Sequence, residues 1–207
     1  MLPLFPLPNV VLFPGVFLPL HIFEPRYREM VADALATDRL IGMVLLRGGW
    51  EGEYEGRPPV FDVGCSGLIT HSEKLADGRY NIILRGLDRF RIVSEDHTRV
   101  YRRAQVDAMH ERELTPEDRA TLKALRPRIE ALVAPAKQAR GIESQIASAI
   151  ADDDLVNALA QYLDLQGIEK QALLELPSVP DRATALLDLL EMKALLAKHG
   201  PGNSHSH

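Results

Sequence analysis

Residues 1–30 read MLPLFPLPNVVLFPGVFLPLHIFEPRYREM, and this stretch decides how the rest of the chain is interpreted. No Lys, Arg, Asp or Glu occurs before Glu24, and the first Lys or Arg is Arg26. A secretion signal needs a positively charged start, which this stretch lacks. A membrane helix would have to contain five prolines, each removing a backbone donor that hydrocarbon cannot replace. The stretch is therefore predicted to be extended chain that a folded domain buries.

Two extended segments are predicted within it. The apolar run NVVLF (9–13) is typical of a buried strand, FPG (13–15) of a turn, and VFLPLHIF (16–23) of a second extended segment. Glu24 follows directly. Because an unpaired charge at the edge of a core is costly, Glu24 is predicted to pair with Arg26 or Arg89.

Composition narrows the class of protein. The chain has 207 residues, of which 46% are hydrophobic, and a formal net charge of −5. This size suits one large domain or two small ones, and the acidic balance disfavours nucleic acid and anionic membranes as partners. Cys65 is the only cysteine, so an internal disulfide is excluded and a cytoplasmic location is expected.

The order of predicted elements is strands first and helices second, which indicates an α+β fold. Residues 1–110 are predicted to form a β-rich unit with one helix beginning at Pro25. Residues 111–199 are predicted to form a helical bundle, and 200–207 a disordered tail. Thr115 and Asp118 mark a helix start, and Pro127 is expected to kink or split that helix.

A search for catalytic patterns finds none. There is no P-loop, and GCSG (64–67) lacks the second glycine of a nucleophile elbow, since Leu68 stands in its place. HSE (71–73) lacks the P-C-x-x-C partner of zinc deaminases. Cys65 and His21 are expected to be packed or partly buried side chains without a chemical role. The chain is therefore predicted not to be an enzyme and to need no cofactor or metal.

Residues 85–103 carry six arginines against three acids in an otherwise acidic chain. Strand alternation in RFRI (89–92) predicts Arg89 and Arg91 on one face. Arg89, Arg91 and Arg102 are thus candidate contacts for an anion or an acidic partner. The other interpretation, which is favoured, is that these arginines pair internally with carboxylates such as Glu24.

Trp50 is the only tryptophan, and it lies in the glycine-rich segment RGGWEGEY (47–54). An aromatic residue in such a loop is either a lid folded onto the core or an exposed anchor for a partner. Both interpretations stay open at the level of sequence.

Several of these segments resemble the amino-terminal substrate-binding domain of the ATP-dependent Lon proteases. They are LPLFPLPNVVLFPG (2–15), LPLHIFEPRYREMV (18–31), VGCSGLI (63–69), LADGRYNIILRGLDRFRIV (75–93) and LLELPSVPDRATALLDLLE (173–191). The resemblance covers residue 2 to about residue 196. It implies a PUA-like pseudo-barrel of about six β-strands followed by a helical bundle. Lon proteases continue into ATPase and Ser-Lys peptidase modules, so a stand-alone member of the family without those modules is expected.

The resemblance implies recognition of unfolded or tagged polypeptide without catalysis. A protein quality-control adaptor that acts with a protease or ATPase partner is the expected role. Trp50 and Tyr54 are predicted to be mobile anchors for an apolar segment, with Phe13 and Phe17 as an adjoining patch. The alternative is a PUA-like nucleic-acid or nucleotide binder that uses the arginines of 85–103. Salt dependence separates the two, because phosphate binding weakens steeply with salt.

Overall fold

The computed structural model describes residues 1–53, 56–139 and 151–199. The strands are β1 Leu2–Leu7, β2 Phe17–Ile22, β3 Leu40–Leu45, β4 Val63–Lys74, β5 Tyr80–Asp96 and β6 Arg102–Met109. The helices are α1 Pro25–Leu35, α2 Pro116–Ala139, α3 Asp152–Tyr162, α4 Gly167–Glu175 and α5 Val179–His199. The expected tail, 200–207, lies outside the described residues.

The chain divides into two compact units, 1–111 with 157–175 and 112–156 with 176–207. The first unit therefore differs from the expected division at residue 110, because it also includes 157–175. Among the described residues, no helix combines the length and the hydropathy that a membrane span requires.

The first unit is built around a six-stranded sheet that closes on itself. The strand order is β2-β5-β4-β3-β1-β6, and β5 also pairs with β6. The long strand β5 makes this possible, since residues 80–85 pair with β2 and residues 89–96 pair with β6. All pairings are antiparallel except β1 with β3. The predicted α+β fold with a pseudo-barrel is confirmed.

The first strand begins earlier than the sequence pattern predicted. It spans Leu2–Leu7, whereas the strand predicted at 9–13 is irregular backbone, although Val11, Leu12 and Phe13 are buried as expected. β1 pairs with β6 over residues 2–4 and with β3 over residues 4–7. Pro3 and Pro6 therefore each have a paired neighbour on one side only, a position that tolerates proline better than one between two paired strands.

The Phe13-Pro14-Gly15 turn lies directly on β5. Gly15 donates its N–H to the Gly86 carbonyl over 3.0 Å, and Gly86 donates to the Val16 carbonyl over 2.8 Å. A Cβ atom at Gly86 would lie 2.0 Å from the Phe13 carbonyl oxygen. Only glycine allows the two backbones to approach this closely.

The second unit contains α2, whose start was predicted correctly. Asp118 donates its N–H to the Thr115 hydroxyl oxygen, and the Asp118 carboxylate accepts from the Thr115 N–H over 2.8 Å. This reciprocal pair satisfies two N-terminal groups of the helix. Pro127 does not split the helix, because α2 runs through it from Pro116 to Ala139. Leu122 of α2 packs in a core cluster with Val156, Val179 and Ala183.

We expect the Gly86→Ala substitution to destabilise the first unit by about 1–3 kcal/mol, because the added methyl group collides with the backbone of the turn. Urea unfolding followed by Trp50 fluorescence measures the change. Gly52→Ala is the matched control, since a Cβ atom there meets nothing within 4 Å. A Gly86→Ala midpoint equal to that of the control would contradict the close approach.

We expect the Asp118 carboxylate to make the second unit acid-sensitive. Its hydrogen bond with Arg112, and then that with the Thr115 N–H, hold the pKa of Asp118 far below its ordinary 3.8. A depressed pKa stabilises the fold above the unfolded value, and this contribution is lost as pH falls toward the folded value. Asp118→Asn should thus be less stable than wild type at neutral pH, with the difference shrinking below about pH 4.

Urea unfolding followed by far-ultraviolet circular dichroism measures this difference. Asp188→Asn, at an exposed position on α5, is the control. A difference between Asp118→Asn and wild type that stays constant from neutral to acid pH would show that the carboxylate charge contributes nothing.

Candidate functional site

A large, mostly apolar concavity of the first unit lies beside the loop that carries Trp50. It has a volume of about 470 Å³. Its lining residues come from three places in the chain: the end of β1 (Pro8, Asn9), the segment from β3 into its loop with Phe61 (Leu45, Leu46, Gly48, Trp50, Phe61) and the start of α4 (Leu165, Gln166, Gly167, Ile168). We call this concavity the Trp50 groove.

Trp50 is half-buried and has two roles in this groove. It packs against a core cluster of the barrel that includes Leu4, Val44 and Phe90, and it also forms part of the groove lining. The contact with the core agrees with the first of the two interpretations left open by the sequence, and the role of Trp50 as an anchor for a partner stays a prediction. A tryptophan held on one side by the core presents its remaining surface to a ligand with little loss of side-chain entropy.

Ile168, at the start of α4, also lines the groove and is 53% exposed. One hydrogen bond caps this helix start, because Gln166 donates its N–H to the Glu169 carboxylate over 2.8 Å. Gly167 lies close to Leu45, since a Cβ atom added there would lie 3.2 Å from the Leu45 side chain. An exposed isoleucine on a fixed helix start is an apolar contact available to a partner.

The helix that carries Ile168 is anchored to the barrel by backbone carbonyl groups. Gln171 donates its side-chain amide to the Val63 carbonyl over 2.9 Å, and Arg89 donates to the Leu174 carbonyl over 3.0 Å. Farther upstream, Asn157 donates to the Pro14 carbonyl, and Gln161 accepts from the Phe13 N–H. Buried polar side chains thus hold residues 157–175 in place.

Phe61, which lines the groove, is in contact with Arg47. The Arg47 guanidinium lies 5.1 Å from the centre of the Phe61 ring and 3.4 Å from the Asp62 carboxylate. Its Nε also donates to the Val60 carbonyl. The guanidinium thus helps to fix the position of an aromatic ring that lines the groove.

The predicted aromatic residues do not come together at one site. Phe13 has no exposed surface, and its place in the core removes it from a surface patch. Phe17 is 49% exposed on β2, but it does not line the Trp50 groove. Tyr54 lies outside the described residues. Trp50 is thus the predicted residue that the groove contains.

Strand β2 offers a free edge, but its backbone is poorly suited to pairing. Val16 accepts from Gly86 of β5, so alternation directs the backbone groups of Phe17, Pro19 and His21 away from β5. Pro19 has no N–H there, and the Phe17 carbonyl accepts from the Tyr162 hydroxyl over 2.6 Å. Such features block strand addition. The Trp50 groove is therefore the better candidate for binding an extended chain.

Most arginines of 85–103 are engaged within the first unit. Arg89 is buried and lies 3.1 Å from Glu111. Arg102 pairs with Glu95 over 2.5 Å, while other ion pairs join Arg103 to Asp96 and Arg99 to Glu29 and Asp33. These are internal pairs of the kind that the sequence favoured. Arg91 is exposed, although strand alternation places it on the same face of β5 as the buried Arg89.

The remaining candidate residues have structural surroundings. Cys65 is buried, as expected. His21, expected to be partly buried, is exposed and lies in hydrogen-bond contact with Asn81 and Arg79. Glu24 pairs with Arg26 over 3.0 Å, which confirms one of its two predicted partners. Within the described residues, no cluster of three or more His, Cys, Asp or Glu could hold a metal.

Sequence reasoning missed Pro8, Phe61 and Ile168 as groove residues. The signal available was weak, since each is a single apolar residue beside a turn or at a helix start. Their juxtaposition depends on how β1, the long loop and α4 meet, which sequence spacing does not show.

Comparison with known proteins gives one family. The model for the ATP-dependent protease La (LON) substrate-binding domain matches residues 1–192. The chain is 30% identical over 203 residues to Lon protease 2 of Myxococcus xanthus, covering 95% of this chain and 24% of that protein. It is 31% identical over 173 residues to Lon protease 2 of Syntrophobacter fumaroxidans, covering 83% and 22%. The chain thus spans about a quarter of the length of these curated relatives.

Solved structures show the same fold. The N-terminal domain of a Mycobacterium avium complex Lon protease matches with a TM-score of 0.71 and 19% identity, covering 92% of this chain and 97% of that one. The Lon N-terminal domain protein from Xanthomonas campestris matches with a TM-score of 0.60 and 26% identity, covering 90% and 96%.

We expect the Glu111→Ala substitution to destabilise the first unit by about 3 kcal/mol, because it removes the carboxylate that faces the buried Arg89 guanidinium. Urea unfolding followed by Trp50 fluorescence measures the loss. Glu113→Ala, at an exposed position, should change stability by less than about 0.5 kcal/mol. Equal losses in the two variants would mean that the Arg89–Glu111 pair does not stabilise the fold.

Proposed function

Because the chain belongs to the Lon substrate-binding domain family, we propose that it binds unfolded or tagged polypeptide and that an apolar segment docks in the Trp50 groove. The observation that carries the proposal is that half-buried Trp50 and exposed Ile168 line the same groove of about 470 Å³. Ligand sites are mostly apolar concavities with a few polar groups, and Asn9 and Gln166 supply such groups here.

The expected affinity depends on how many apolar side chains of a ligand the groove can bury. Burying an apolar side chain contributes roughly 1.5–3 kcal/mol, and the groove has room for two or three side chains. After the cost of ordering a flexible segment, binding in the micromolar range results. Weak binding of short apolar segments suits a module that must accept many different unfolded chains.

We also propose that the chain binds without catalysing a reaction. The described residues that line the groove include no Ser, Cys, His or acidic side chain, so no nucleophile and base face a bound peptide. A module of this kind acts as a cytoplasmic quality-control adaptor that holds clients for a protease or ATPase partner. The arginines of 85–103 give little support to nucleic-acid binding, because carboxylates already pair with most of them.

We expect a permanently unfolded protein, reduced and alkylated, to shift Trp50 emission to shorter wavelength and to protect it from iodide. The physical reason is that a bound segment covers the exposed side of the indole. Ile168→Ser should weaken this binding about tenfold, since one apolar contact is lost while the tryptophan signal is kept.

Val93→Ser is the matched control, because Val93 is also 53% exposed in the first unit and does not line the groove. Phe17→Ser tests the patch on β2 in the same assay. Two results would rule out the groove as the binding site. One is Trp50 emission that does not change when the unfolded protein is added, and the other is an equal loss of affinity in Ile168→Ser and Val93→Ser.

A further inference from the structure

A second, smaller cavity of the first unit lies on the other side of Leu46. It has a volume of about 150 Å³. Its lining includes three arginines, Arg26, Arg57 and Arg102, and no acidic residue among those described. Leu46 lines both this cavity and the Trp50 groove, so the two adjoin. We call it the Arg57 cavity.

The three guanidinium groups differ in how they are neutralised. Arg26 pairs with Glu24 over 3.0 Å. Arg102 makes two short contacts with Glu95 and donates to the Pro58 carbonyl. Each of these arginines therefore has its own carboxylate outside the cavity lining.

Among the described residues, Arg57 has no carboxylate except Glu95, which it shares with Arg102. Its Nη2 donates to the Arg99 carbonyl over 3.2 Å, while its Nη1 lies 4.0 Å from the Glu95 carboxylate that Arg102 already occupies. The Nη1 atom is buried and makes no hydrogen bond within the described structure. Counted over the described residues, three guanidinium groups face only Glu24 and Glu95, which leaves one positive charge in excess at the cavity.

The rest of the lining is apolar or already engaged. Pro6, Leu46 and Val100 line the cavity, and Val100 is 65% exposed. Tyr101 donates its hydroxyl to Asp33 over 2.6 Å, and burial, aided by that hydrogen bond, raises the pKa of Tyr101 to about 12. Tyr101 thus stays neutral and presents its ring to the cavity.

We propose that the Arg57 cavity binds the C-terminal residue of a polypeptide, with the α-carboxylate on Arg57 and the side chain against Leu46 and Val100. The proposal rests on the function proposed for the Trp50 groove and adds a preference for chain ends. A single carboxylate matches one excess positive charge, and a terminal residue brings an apolar side chain beside that charge. Inorganic phosphate could pair with Arg57, but it has no apolar group to contact Leu46 and Val100.

Two peptides that differ at one group test this proposal. Both have the same short apolar sequence ending in leucine, one with a free carboxylate and one with a C-terminal amide. We expect the free acid to bind wild type at least about tenfold more tightly, because charge-assisted hydrogen bonds are the strong class. Isothermal titration calorimetry measures both affinities.

Two variants test whether Arg57 causes the preference for the free acid. Arg57→Gln should abolish the preference for the free acid and leave binding of the amide unchanged. Arg79→Gln, which removes an exposed arginine paired with Asp77 in the β4–β5 hairpin, should keep the preference. In wild type, nitrogen-15 spectra should show the free acid shifting the resonances of Gly56, Arg57 and Tyr101, which does not depend on a variant folding.

The experiments distinguish a negative result for the Arg57 cavity from a negative result for the Trp50 groove. If wild type binds acid and amide equally, the Arg57 cavity has no role in recognising chain ends, while the groove proposal stands. If neither peptide nor unfolded protein binds, both proposals fail. If acetate or phosphate shifts Arg57 but the free-acid peptide does not, the cavity binds small anions and the polypeptide occupant is ruled out.

Discussion

The close contact between the Phe13-Pro14-Gly15 turn and Gly86 is the constraint on which the first unit depends. It places the turn backbone against β5, so β2 must start beside β5 and run antiparallel to it. The same turn then receives Asn157 and Gln161, which hold the end of α3 and the segment that follows. Since α4 starts a few residues later, the position of Ile168 in the groove depends on a glycine far from it in sequence.

A second constraint is the buried charge of Arg89. Its guanidinium faces Glu111 and donates to the carbonyl of Leu174, so the strand that closes the ring also holds the end of α4. Carboxylate pairing of this kind explains why six arginines in 19 residues do not form a cationic surface. Arg57 lies outside that cluster in sequence, and its Nη1 has no hydrogen-bond partner among the residues that the structure describes.

Features of the fold that depend on neighbouring residues could be predicted from the sequence, whereas features that depend on tertiary packing could not. The start of α1 at Pro25, the cap formed by Thr115 and Asp118, and the burial of residues 11–13 depend on neighbouring residues, so pattern and propensity predicted them. The first strand was misplaced because prolines argue against a strand, and the pattern does not show that each proline of β1 has only one paired neighbour. Trp50 was found from its loop. Its partners across the groove were not, since they meet only through tertiary packing.

The partial burial of Trp50 matters for the proposed binding of many different polypeptides. A fully exposed tryptophan would lose side-chain freedom on binding, and a fully buried one would offer no surface. Packing one side of the indole on the Leu4 and Phe90 cluster fixes its position before a ligand arrives. The loop can then adapt around a fixed anchor, because Gly48 and Gly52 have no neighbours within 4 Å that restrict a Cβ atom. In the proposed function, such a fixed contact in a glycine-bearing loop would bind apolar side chains in general without selecting one sequence.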